Sequence, residues 1–314
     1  MNILSRNGDA RSAGRRPLKL GIIGLDTSHV VAFAELLHDA AHPFHVPGAI
    51  IESAYSSVSP DFEMSYARVE GFTARMKEEF GVRLLDSPEA VAEASDAILL
   101  ESVDARVHCE QFRAIAALGK PVFIDKPLTI GYEDAYTIVE LAARYGIPVM
   151  SASALRYSQA LTDALAAMPN GELYGIDAYG PMAIQPTQPG LYWYGIHMTE
   201  MLYAGLGTGC KQVTAVSNAA GDCVIGEWAD GRLGAFRGNR MGNTCFGAVL
   251  HGRSGSRHVD ASSHPKPYYA GLLEAVLAMF RTGVSPIPPD ELLEVVRFLE
   301  AGNRSRLTGE PVRL

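Results

Sequence analysis

The chain has 314 residues, of which 47% are hydrophobic and 20% charged, and a formal net charge of −8. That length suits two domains, the balance is that of a globular protein with a sizeable core, and the negative charge excludes the basic footprint of a nucleic-acid or anionic-membrane binder. The four cysteines, Cys109, Cys210, Cys223 and Cys245, form no C-x-x-C pair or zinc spacing, which fits a reducing compartment, and no apolar run is long enough to span a bilayer.

Residues 1–16 are basic and polar, without the apolar centre of a secretion signal, and read as a mobile tail on a cytoplasmic protein. From Leu18 onward strands and helices alternate. "LKLGIIG" is a buried strand, and "TSHVVAFAELLHDA" is a helix with Val30, Phe33, Ala34 and Leu37 on one face. "GAIIESAYS" is a second strand, followed by a polar stretch from Ser57 to Ser65 and the helix "ARVEGFTARMKEEFG". "DSPEAVAEA" is a short capped helix and "DAILLES" a strand. The helix "DARVHCEQFRAIAALGK", the strand "PVFID", the helix "GYEDAYTIVELAARYG" and the strand "PVMSAS" complete the series. This order predicts a doubly wound parallel sheet, a Rossmann-type dinucleotide-binding domain over residues 17–150.

Residues 151–314 change character and read as an α+β substrate and oligomerisation domain. "LYGIDAYGPM", "KQVTAVSN", "CVIGEWADGRLGAFRG" and "CFGAVLHG" are strand-like, with a hairpin signal at Asp230-Gly231, and predict an open, mostly antiparallel sheet. "LYWYGIHMTEMLYAGLG" is a helix at the domain boundary. "YYAGLLEAVLAMFRTG" and "PDELLEVVRFLEAGNRS" are closing helices that pack back toward the first domain. The alternating apolar positions of "CVIGEW" and "LGAFRG" predict a sheet face buried between subunits. The cleft between the two domains is the expected site.

Three stretches carry chemistry. The turn after the first strand stands where a Rossmann fold has G-x-G-x-x-G, but it reads Gly24-Leu25-Asp26-Thr27-Ser28-His29 and keeps only the first glycine. A carboxylate about 4 Å from a phosphate costs about 1–4 kcal/mol. Asp26 is therefore expected to turn back and cap the helix, accepting from the Ser28 or His29 amide. Thr27 and Ser28 offer hydroxyls, and His29 either tilts the helix or points into the cleft. "VFIDKPLT" places Asp125-Lys126-Pro127 at the end of a strand, where open α/β sheets bind ligands. In "LYWYGIHMTEMLY", His197 and Glu200 share one helical face. A metal at His29, His42, His45 or His108 lacks a fixed third ligand, so none is expected.

In the order and spacing of these pieces, from Leu18 to Leu314, the chain resembles the Gfo/Idh/MocA family. The matching pieces are the strand-Gly turn, "DKP" where the family usually has Glu-Lys-Pro, "SALRY" after the sixth strand, "GIH" opening the substrate-domain helix, and the closing helices. The resemblance implies an NAD(P)-dependent oxidoreductase that moves a hydride to or from a sugar, polyol or related ring alcohol, assembled as a homodimer or homotetramer. It places Lys126 beside the nicotinamide and the reacting hydroxyl, and His197 as the residue that shuttles the hydroxyl proton. Where the family usually has Asp one turn before that histidine, this chain has Trp193; Glu200, one turn later, would approach from the other side. Cofactor contacts are expected from Gly24, Leu25, Asp26, Thr27, Ser28, Ser56, Glu101, Ser102, Val103, His108, Asp125 and Lys126. Substrate contacts are expected from Lys126, Arg156, Trp193, Tyr194, His197 and Glu200. Ser56 and Ser57 supply neither the acid that selects NAD nor the arginine that selects NADP, so either cofactor is open. The stretch Ser57 to Ser65 lies over the adenine end or is plain surface. Two alternatives also stay open: a redox-neutral sugar-modifying enzyme that retains its nicotinamide, and a non-catalytic sugar-binding protein on the same scaffold.

Overall fold

Strand β1 (Leu18–Ile23) buries its last four residues on both faces, as the centre of a parallel sheet requires. This computed structural model describes residues 16–169 and 171–314. The tail expected over residues 1–16 lies outside the described residues except Arg16, whose guanidinium pairs with Asp96 at 2.7 Å. After β1 come α1 (His29–His38), β2 (Ala49–Tyr55), α2 (Glu63–Tyr66), α3 (Val69–Glu78), β3 (Arg83–Leu84), α4 (Pro88–Ala94), β4 (Ala97–Leu100), α5 (His108–Ala116), β5 (Val122–Ile124), α6 (Tyr132–Tyr145) and β6 (Val149–Ser151). The strands form one sheet in the order β3-β2-β1-β4-β5-β6, every pair parallel, which is the Rossmann order. The strand order reverses between β1 and β4, so the crevice at their C-terminal ends is the place for a ligand. The cap read at α4 is present: Ser87 Oγ accepts from the Ala90 amide at 3.1 Å.

A 3-10 turn (Ala154–Tyr157) and α7 (Gln159–Ala166) lead into β7 (Leu173–Pro181), α8 (Gly195–Leu206), β8 (Cys210–Asn218), β9 (Gly221–Trp228), β10 (Leu233–Asn239), β11 (Gly247–Gly252), β12 (Gly255–Asp260), α9 (Tyr268–Thr282), α10 (Pro289–Thr308) and β13 (Val312–Arg313). The second sheet runs β12-β11-β7-β10-β9-β8-β13, antiparallel except for the β7–β10 pair. The helix expected to begin at Leu191 is broken: a 3-10 turn covers Gly190–Tyr192 and α8 starts at Gly195. That break sets Trp193 and Tyr194 at the helix mouth.

There are two cores, and the closing helices tie them together. Leu272, Leu273, Val276 and Met279 of α9 pack with the first sheet, although α9 follows the second sheet in sequence. In α10, Leu292 and Val296 join the first core while Val295, Phe298 and Leu299 join the second. Among the described residues, no helix is long and apolar enough to cross a membrane.

Candidate active site between the sheets

The C-terminal ends of β1 and β5, the start of α8 and the start of α9 enclose a cavity of about 270 Å³. Thr27, Ser28, His29, Val103, Asp125, Lys126, Trp193, Tyr194 and His197 are among the residues lining it. The backbone at Gly24 has φ +93°, and a Cβ there would sit 2.4 Å from the Ser102 amide nitrogen, so only glycine makes this turn. Leu25 is fully buried beneath it.

Asp26 does not cap α1. The N-cap is Ser28, and no side chain closes the cap. The Asp26 carboxylate instead accepts from the Val103 amide at 2.9 Å and the Ser65 hydroxyl at 2.5 Å, while its carbonyl accepts from Arg68 Nη2 at 2.8 Å. These donors come from β4's exit and from α2 and its flank. The Val103 amide and the Ser65 hydroxyl between them give each oxygen of the buried carboxylate a donor. Burial raises the Asp26 pKa, and the Ser65 and Val103 hydrogen bonds oppose that rise.

The polar stretch after β2 therefore lies over the crevice rather than forming plain surface. The Ser59 amide donates to Ser65 Oγ at 2.9 Å. Phe62, buried, meets the Trp193 ring edge-on at 5.6 Å between centroids. Arg106 bridges Asp61 and Asp104, each at 2.7 Å, and Gln188 donates to Asp104 at 2.6 Å. Ser57 accepts from Gln111 Nε2 at 2.9 Å, and the Gln111 carbonyl oxygen accepts from Ser102 Oγ at 2.8 Å. Ser56 pairs with Thr73 at 3.1 Å. Residues of the segment after β2 thus pack into the crevice beside Asp26, Ser102 and Gln111.

On the opposite side, His197 and Lys126 meet at the cavity. His197 Nδ1 lies 2.7 Å from Ser153 Oγ, a residue the sequence reading did not single out, although it stands in the strand-exit stretch "SASALRY". Burial, with Lys126 and His29 adding to it, holds the His197 pKa well below 6.5, so the imidazole is neutral at physiological pH. Lys126 Nζ lies 5.4 Å from the centre of the Trp193 ring, a cation–π contact. Tyr194 stacks on Phe246 at 6.5 Å.

His29 takes the second of its two expected courses and points into the cleft. Its ring packs against Tyr269, with centroids 5.1 Å apart, and Nδ1 lies 3.0 Å from Asp125 Oδ2. Burial pulls its pKa down, but Asp125 and Glu101 outweigh that and raise it to about 9. Burial raises Glu101, whereas His29 and Lys126 overcome burial at Asp125 and hold it low. Glu101 is fully buried behind the cavity wall.

His108, Arg156 and Glu200, expected at the site, also stand outside that wall. His108 is buried with Nε2 2.7 Å from the Ser102 carbonyl and Nδ1 3.1 Å from that of Leu128, so it ties the β4 exit to the Lys126-Pro127 turn. Arg156, in the 3-10 turn, pairs with Glu200 of α8 at 3.0 Å and with Glu291 of α10. This buried ion-pair group turns Arg156 and Glu200 away from the cavity, because each finds its partner in a neighbouring helix.

Residues 59–153 match the model of the Gfo/Idh/MocA family, an oxidoreductase family with an NAD-binding Rossmann fold. No curated protein matches the chain. Among solved structures, the chain is similar to a "probable dehydrogenase" from Thermotoga maritima, with 18% identity, a TM-score of 0.77, and 94% of this chain and 98% of that one covered. It is similar to a myo-inositol dehydrogenase from Corynebacterium glutamicum at 17% identity and TM-score 0.75, covering 95% and 99%. A scyllo-inositol dehydrogenase from Lactobacillus casei, with bound NAD(H) and scyllo-inositol, gives 14% identity and TM-score 0.76, covering 95% and 99%. At these identities the likeness is one of fold, and the family match and the sheet order agree with the resemblance read from the sequence.

Proposed function

We propose, from the match to an NAD-binding oxidoreductase family, that the chain is a cytoplasmic NAD(P)-dependent oxidoreductase acting on a sugar, polyol or related ring alcohol, with Lys126 and His197 at the reacting hydroxyl. One observation carries this reading: Lys126 from the end of β5 and His197 from the start of α8 line the same cavity. The inositol dehydrogenases among the structural neighbours support the substrate class.

The nicotinamide end of a dinucleotide fits the residues present. Gly24, Thr27, Ser28, Val103 and Lys126 would hold it, at a helix N-terminus that the Ser28 side chain leaves uncapped and where the His29 amide has only a long 3.4 Å bond to Thr27 Oγ1. At the adenosine end, by Ser56, residues 59–65 fill the crevice, so that half fits only with this segment displaced. When bound, the dinucleotide supplies the hydride acceptor or donor.

The chain's own groups handle the hydroxyl. The Lys126 ammonium, steadied over Trp193, donates to the substrate oxygen and stabilises the alkoxide that develops there. His197 is neutral and can take the hydroxyl proton on Nε2 when Nδ1–H donates to Ser153 Oγ. Ser153 thereby does the orienting that a carboxylate one turn earlier would do. Trp193 and Tyr194 offer ring faces to the apolar side of a sugar.

The test follows reduced-nicotinamide absorbance on a panel of inositols and aldoses, with NAD and with NADP. Lys126→Met is expected to abolish turnover with the fold intact, and His197→Ala to slow it about 10²–10⁴-fold. Wild-type rates in both variants would overturn the assignment. The burial of Phe62 and Ser65 in the crevice beside Asp26 favours a second reading, a non-catalytic sugar-binding protein on the same scaffold. Calorimetric binding of an inositol or aldose by a protein that binds neither NAD nor NADP and turns nothing over would separate the second reading from the first.

A further inference from the structure

At the wall of the Lys126–His197 cavity, three side chains from three separate elements converge. His29 opens α1, Glu101 follows β4 and Asp125 follows β5. His29 Nδ1 lies 3.0 Å from Asp125 Oδ2 and 3.8 Å from Glu101 Oε2, and one ligand atom from each residue lies within 4.8 Å of the others. Among the described residues, neither carboxylate oxygen of fully buried Glu101 has a hydrogen-bond partner. Asp125 Oδ2 has none either, because the approach of His29 Nδ1 is not directed as a hydrogen bond.

An imidazole nitrogen offers one in-plane hydrogen or one lone pair, so it cannot serve two carboxylates arriving from different directions. Buried carboxylate oxygens without donors are strongly unfavourable and rare in folded proteins. Here two such oxygens, Glu101 Oε2 and Asp125 Oδ2, lie within 3.8 Å of one ring nitrogen, and carboxylate oxygen and imidazole nitrogen are both good metal donors.

We propose that His29, Glu101 and Asp125 bind one divalent first-row cation of the zinc or manganese class. One ion between them would satisfy the orphaned oxygens and the nitrogen together, and two carboxylates would neutralise its charge. The mixed nitrogen and oxygen set suits these metals rather than calcium or magnesium. Three protein ligands leave coordination positions open, as in catalytic rather than structural sites. His29 and Asp125 also line the cavity, which gives the ion an entry path and turns the open positions toward Lys126 and His197. The oxygen atoms of a polyhydroxylated compound are the ligands those positions would take. The inference goes beyond hydride transfer and stands without it.

Full-length protein, stripped with a chelator and dialysed, is titrated calorimetrically with zinc chloride and with manganese chloride, and bound metal is counted by elemental mass spectrometry. One equivalent per chain is expected. Glu101→Gln and His29→Ala should each weaken binding about 100-fold or more, beyond what loss of an outer-shell partner does. Glu101→Gln keeps the shape and removes the charge, so its unfolding temperature without metal should equal or exceed the wild type's. Added metal should raise that temperature in the wild type and not in the variant. The proposal is overturned by absence of stoichiometric binding, by equal binding in these variants, or by binding lost only in a His42→Ala/His45→Ala variant. A parallel titration with NAD and NADP reports on the cofactor reading separately, so either can fail alone.

Discussion

Asp26 is held by groups from three parts of the chain: the Val103 amide, the Ser65 hydroxyl and, through its carbonyl, Arg68. A Rossmann turn usually has glycine here so that a pyrophosphate can approach the backbone. In this chain the carboxylate turns away from α1 and fastens the segment after β2 down over the crevice. Its loss would leave the Val103 amide and the Ser65 hydroxyl buried without their acceptor. Asp26→Ala should therefore destabilise the fold by about 1–3 kcal/mol, the range for stranding a buried donor. Urea unfolding checks this; a change within error would mean that solvent already reaches the turn. Protease cleavage within residues 57–68 should become faster in the same variant, since the carboxylate anchors that segment.

At the scale of elements, the Arg156 group joins the 3-10 turn, α8 and α10. Burial raises Glu200 to a pKa of about 7 although the Arg156 guanidinium lies 3.0 Å away and pulls the other way; Glu291 adds to the rise. The folded value thus stands above the ordinary 4.5, and the folded protein takes up a proton that the unfolded chain has released. The contribution to stability is fully present below 4.5 and is lost as the pH rises through about 7. A shift of this size corresponds to a loss on the order of 3 kcal/mol across that window. Glu200→Gln cannot ionise, so its stability should fall less than the wild type's between about pH 5 and about pH 8. Denaturant midpoints at the two pH values measure the difference, and parallel falls would show that Glu200 stays ionised beside Arg156.

For the whole molecule, the second sheet buries one face on α8 and α10 and leaves the other open. On that open face Ala235 lies opposite Ile225, Ile225 opposite Thr214, and Cys223 opposite Val216. Val216 is 69% exposed and Ile225 41%. An exposed apolar strip across adjacent strands is expected to serve as a subunit contact, in line with the dimer or tetramer that the family resemblance implies. Light scattering at micromolar concentration should give an oligomer, and Val216→Lys with Ile225→Lys should give a monomer of unchanged secondary structure. A monomeric wild type would refute this use of the face.

The sequence by itself determined what short-range physics encodes. Hydrophobic periodicity marked the long strands and helices of both halves, and Ser87 and Asp230-Gly231 marked a cap and a hairpin, because each acts within a few residues of itself. The short strands β3 and β13 carry two residues each, too few for any period, and β12 is exposed at a sheet edge, so its residues lack the apolar alternation that marks a buried strand. Lys126 and His197 were legible because each sits in a motif, and the alternation of elements placed their strand and helix beside the cleft. Only the tertiary structure decided that Ser153 holds His197, that Ser65 and Val103 claim Asp26, and that His29, Glu101 and Asp125 meet. Those groups lie far apart in the chain, and a polar side chain's choice between a local amide and a distant partner is set by which of them shares its buried volume after folding.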